Sequence, residues 1–82
     1  MALQQYTLTT AWTEILGAAG TLTIQNQGKS GVRIEGAASA PSADSEAGLI
    51  LPDYGDFLQL EFATKVYARA QFQNAVIVAG TI

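Results

Sequence analysis

The sequence predicts an all-β domain, a small antiparallel β-sandwich or barrel of about six to seven short strands. Three observations predict it. Apolar and polar residues alternate over short runs, Gly, Pro, Asn and Asp punctuate those runs roughly every ten residues, and no long stretch carries a helical period. Residues 1–82 form a single domain, with a long loop of small residues at 36–47.

In residues 6–12, Tyr6, Leu8, Thr10 and Trp12 share one parity and Thr7, Thr9 and Ala11 the other, a strand pattern rich in β-formers. A short helix over 11–19, capped by Thr10, is the competing reading. Gly17-Ala18-Ala19-Gly20 ends the element in either case. Residues 21–27 alternate cleanly, with Leu22 and Ile24 on one face. The run Asn26-Gln27-Gly28-Lys29-Ser30-Gly31 reads as a hairpin loop, so the strand resumed by Val32-Arg33-Ile34-Glu35 is expected to pair antiparallel with 21–27.

The loop 36–47 contains no large apolar side chain to anchor it. Loops this long are surface features, serving as connectors or as binding segments held by a neighbouring subunit. The chain is then expected to turn around its core at 48–62. Leu49-Ile50-Leu51 is a short apolar strand and Pro52-Asp53-Tyr54-Gly55 a turn in which Gly55 can take a positive φ; Leu58, Leu60 and Phe62 then alternate with Gln59 and Glu61. Residues 65–72 place Val66, Ala68, Ala70 and Phe72 on one face and Lys65, Tyr67, Arg69 and Gln71 on the other. The run Ala75-Val76-Ile77-Val78-Ala79 is apolar throughout, as in a strand at the centre of a sheet or at the seam with a partner.

Composition narrows the chemistry. Neither Cys nor His is present, which excludes disulfides, thiolate nucleophiles and the commonest general base. Ser30, Ser39, Ser42 and Ser45 therefore have no imidazole to activate them. Asp53 and Asp56 flank a turn, and turn chemistry accounts for both without a metal. The expectation is a protein that is not an enzyme and carries no cofactor. A net charge of −3 with four basic residues argues against nucleic acid, and no apolar run reaches the ~20 residues of a membrane-spanning helix. The first residues lack the basic and apolar regions of a secretory signal, so none is expected.

A chain of 82 residues builds a marginal core, and with disulfides excluded oligomerisation is the remaining stabiliser. Aromatic and Arg side chains concentrate at interface centres, which makes Trp12, Tyr54, Phe57, Tyr67 and Arg69, with Pro41 in the long loop, the candidate partner-interface residues. For Trp12 and Phe57 the alternative is a place in the core.

The layout as a whole resembles small virion proteins of tailed bacteriophages. The resemblance is carried by Thr9-Thr10-Ala11-Trp12-Thr13-Glu14-Ile15, by Thr23-Ile24-Gln25-Asn26-Gln27-Gly28, by Ala40-Pro41 ahead of Gly48-Leu49, and by Val66-Tyr67-Ala68-Arg69-Ala70 before the apolar last strand. It spans nearly the full chain. It implies a structural, β-rich virion protein, a capsid decoration or cement protein that binds the major capsid protein as a homotrimer. The alternatives are a neck, tail or fibre-base component, or, in a different class, a small carbohydrate-binding module displaying two or more of Trp12, Tyr54, Phe57 and Tyr67 on a flat surface.

Overall fold

In a computed structural model the described residues are 2–28, 30–42, 48–51 and 55–81. They form eight strands and no helix: β1 (Ala2–Leu8), β2 (Thr13–Leu16), β3 (Gly20–Asn26), β4 (Val32–Gly36), β5 (Leu49–Leu51), β6 (Phe57–Phe62), β7 (Val66–Ala70) and β8 (Ala75–Thr81). Two four-stranded sheets, ordered β1-β8-β3-β6 and β2-β7-β4-β5, make a sandwich in which every pairing is antiparallel. The strands also pair as β1 with β8, β2 with β7, β3 with β6 and β4 with β5. This is one long hairpin rolled up on itself, the connectivity of a jelly roll. Its tip is the β4–β5 loop.

The core follows from strand parity. Leu22 and Ile24 of β3, and Ala75, Ile77 and Ala79 of β8, meet Val32 and Ile34 of β4 and Val66, Ala68 and Ala70 of β7; all are buried. Small residues on β7 and β8 let the two sheets approach closely, while Leu and Ile on β3 and β4 fill the space. As expected, β8 lies at the centre of its sheet, but its two faces differ. Ala75, Ile77 and Ala79 face the core, whereas Val76 and Val78 are half-buried on the outer face.

Four expectations are corrected. Residues 6–12 are not one strand: β1 ends at Leu8, the chain bends over 9–12 to cross between sheets, and β2 begins at Thr13. The proposed short helix over 11–19 is likewise absent, and strand β2 occupies its middle, Thr13–Leu16. The 27–31 connection is not a hairpin, because β3 pairs with β6 and β8 while β4 pairs with β5 and β7. Alternation is the same for strands that pair and for strands that face each other across a core, so periodicity alone does not separate the two. Finally, Phe72 lies beyond the end of β7 and is 83% exposed, off the face shared by Val66, Ala68 and Ala70.

The stretch 48–62 does supply two strands, and Gly55 has φ +89°. Those strands are the edges of opposite sheets, so the stretch runs along one flank of the sandwich. The turn residues Pro52, Asp53 and Tyr54 lie outside the described residues.

Candidate functional site

Two surfaces carry the features expected of a binding site. The first is the outer face of the second sheet. Tyr67 and Arg69 alternate outward from β7, yet they are only 7% and 9% exposed. The segment 37–42 that follows β4 borders this face. It leaves β4 with the Ala37 amide donating to the Lys65 carbonyl (2.9 Å), and further on the Trp12 indole Nε1 donates to the Ser42 carbonyl at 3.1 Å. Pro41, next to Ser42, is half-buried.

Trp12 sits at the bend between β1 and β2, and the Arg69 guanidinium lies 5.5 Å from its ring centroid, within reach of a cation–π attraction. The Arg69 Nη1 also donates to the Ala70 carbonyl at 3.3 Å. Arg33 is the cross-strand partner of Arg69, so the two residues share this face, and each makes further interactions. At its margin Lys65 and Glu14 form an exposed ion pair at 3.6 Å.

The second surface is the flank formed by β5 and β6. Contacts of β1 with β7 and of β2 with β8 place those four strands over one another, and the Phe62 ring packs against Gly36, placing β6 over the β4–β5 half of the other sheet. Leu49 pairs with Ile34 and Leu60 with Leu22, so both face the core, yet they are 46% and 42% exposed. Ile50 and Phe57 add outward-facing apolar area on the same two strands. The margin of the core lies open along this flank. Its acidic side chains include Asp56 and Glu61.

The sequence-predicted interface residues are thus divided. Trp12 and Arg69 meet, the Pro41–Ser42 segment reaches Trp12, and Tyr67 shares the face of Arg69 on β7, with Tyr67 and Arg69 both buried within the single chain. Phe57 lies on the opposite sheet, 60% exposed and not in the core. Tyr54 is outside the described residues.

No family model, curated protein or solved structure matches the chain. The surfaces must therefore be weighed on their own chemistry. Among the described residues, no group of three or more Asp or Glu side chains is placed to hold a metal ion, and no helix is long and apolar enough to cross a membrane. A shallow, open depression is lined by Ala19, Gly20, Glu61, Phe62 and Ala63, of which only Glu61 is ionisable.

Sequence reasoning missed Leu49, Ile50 and Leu60 as surface residues. The available signal was the shortness of the 49–51 run between Gly48 and Pro52, since short strands beside a proline are characteristic of sheet edges. Asn26 was missed as well. It reads as a turn residue but is fully buried and bonded on every side.

Proposed function

We propose that this protein is a structural virion subunit of a tailed bacteriophage, a decoration or cement protein that binds between capsid subunits and stabilises the head. The observation that carries the reading is the open apolar flank of β5 and β6 on an eight-stranded rolled sandwich. Monomeric proteins rarely expose contiguous apolar patches of this kind unless a partner covers them, and here the patch is the margin of the core itself. Jelly rolls serve both as viral capsid domains and as lectins, so the connectivity agrees with the resemblance without deciding the role. The sugar-binding alternative is the weaker one. Tyr67 is buried, Trp12 is half-buried, and Phe57 is on the far sheet, so these three residues do not form an aromatic platform.

The test is to mix the purified protein with capsids that lack it and count the bound copies. Saturable binding over the whole head lattice, with improved survival of heating, is the expected result. Binding of a few copies at one vertex would move the protein to the neck, tail or fibre base. Absence of binding to any part of the particle would overturn the virion reading.

A further inference from the structure

We propose that copies of this chain associate head to tail through the first sheet, β1 of one copy adding antiparallel to β6 of the next, and that the contact closes into a cyclic ring. The inference deepens the proposed function, from which it takes self-association alone.

Edge strands of the second sheet are poor templates. β5 has three residues, and β2 has four with a register break between Glu14 and Leu16. The first sheet differs. β1 runs seven residues in unbroken register with β8, and β6 runs six in unbroken register with β3. Natural edges are usually blunted by charge, proline, a bulge or short length. β1 has none of these, and β6 has only the charge of Glu61.

Direction fits as well. The order β1-β8-β3-β6 with every pairing antiparallel makes β1 and β6 run oppositely. A second copy rotated about an axis along the strands then brings its β1 antiparallel to β6, and the sheet continues without a change of type. Of the six large apolar side chains exposed among the described residues, Leu49, Ile50, Phe57 and Leu60 lie on the β5–β6 flank and Leu3 lies on β1. Head-to-tail pairing covers both groups.

Charge selects this arrangement over the two symmetric ones. The chain carries −3, and pairing β6 with β6 would set Glu61 of one copy near Glu61 of the other. Pairing β1 with β1 avoids that repulsion but leaves the apolar flank in water. Pairing β1 with β6 opposes an uncharged strand to the acidic one, and Glu14 on the adjoining β2 is already neutralised by Lys65. A heterologous contact of this kind must close into a ring or grow into a fibre, and a closed ring is the form that stays soluble.

The experiment is sedimentation of the full chain and of two variants, each checked for a cooperative thermal transition. One carries Leu3→Glu with Gln5→Glu on β1; the other carries Phe57→Asp with Gln59→Asp on β6, all four pointing away from the core. All four side chains are exposed, so the core is left intact. The unsubstituted protein is expected as a closed oligomer and each folded variant as a monomer. An equimolar mixture of the variants is expected as a one-to-one dimer, because one undamaged β1 and one undamaged β6 remain. A monomeric unsubstituted protein, a variant that still dimerises alone, or a mixture that stays monomeric would each overturn the pairing. Capsid binding is scored separately: a ring that ignores capsids removes the virion role and keeps the contact, and a monomer that decorates them does the reverse.

Discussion

The Asn26 side-chain amide on β3 donates to the Leu51 carbonyl on β5, 2.9 Å away, and so ties an inner strand of one sheet to the edge strand of the other. The same Nδ2 donates to the Ser30 carbonyl at 2.8 Å, and Oδ1 accepts from the Gly28 amide at 3.0 Å. Through its backbone, Asn26 donates to the Asp56 carbonyl and accepts from Gly55. One fully buried residue therefore fixes the β3–β4 crossing, the end of β5 and the approach to β6. Buried polar groups are tolerated when fully bonded, and removing one partner leaves the others unsatisfied.

Asn26→Leu should accordingly destabilise the protein by about 2–4 kcal/mol, measured by urea denaturation, because two buried carbonyls lose their donor. Asn26→Asp tests the chemistry. An ionised carboxylate cannot donate to either carbonyl, so its folded pKa should lie above the ordinary value of about 3.9. The folded state then binds the proton more tightly than the unfolded state. The stability lost by the variant should be largest at neutral pH and partly recovered, relative to the unsubstituted protein, as pH falls through that raised pKa. A deficit independent of pH would contradict this account.

Gly48 and Gly55 have similar backbone angles, φ +99° and +89°, but different surroundings. A Cβ on Gly55 would meet open space, whereas one on Gly48 would collide with the Ile34 carbonyl of β4. Gly55→Ala should cost about 1–2 kcal/mol from left-handed strain alone. Gly48→Ala should cost at least about 3 kcal/mol, since a β4 backbone pinned on both sides cannot yield. Equal thermal midpoints for the two variants would contradict the placement of Gly48.

Trp12 is tied to the β4–β5 loop by one hydrogen bond, to the Ser42 carbonyl, and to β7 by its contact with Arg69. Trp12→Phe keeps a ring and removes the indole donor, a loss of about 1 kcal/mol. Limited proteolysis should show faster cleavage between β4 and β5 in this variant, with the global midpoint little changed. Unchanged cleavage would mean that the loop is held by other contacts.

The exposed Lys65–Glu14 pair should contribute little. Each side chain is about half in water, so Lys65→Ala is expected to change stability by less than about 0.5 kcal/mol, and added salt should leave that difference near zero. A larger loss would show that the Lys65 stem covers apolar surface, a role that its charge alone does not supply.

Much of the strand content was legible because β3, β7 and β8 carry clear patterns: Leu22 and Ile24 alternate with Thr, and Ala75 to Ala79 are apolar throughout. Tyr67 and Arg69 were correctly placed on one face by parity. What was not legible is which strands pair. Val32 and Ile34 would look the same in a hairpin with β3 as they do facing it across the core, and the choice is made by Asn26, whose bonds direct the chain into the other sheet. Nor did the sequence show that Trp12 would reach Arg69, since that depends on the bend over 9–12. The exposure of Leu49 and Leu60 is likewise set by sheet order, a long-range property that no local pattern encodes.

Ile77 offers the most direct test of how folding and association are linked. Its side chain is fully buried at the centre of the first sheet, paired with Tyr6 on one side and Asn26 on the other. Ile77→Ala should cost about 2–5 kcal/mol, comparable with the roughly 3–5 kcal/mol that a single core of this size supplies. At low concentration the variant should be largely unfolded. If neighbours complete the burial of the β5–β6 flank, association favours the folded state by mass action, and the thermal midpoints of both proteins should rise with concentration. The variant should then refold measurably as it is concentrated, by circular dichroism at fixed temperature. A midpoint independent of concentration would mean that the flank contributes nothing to folding and that each chain is stable alone.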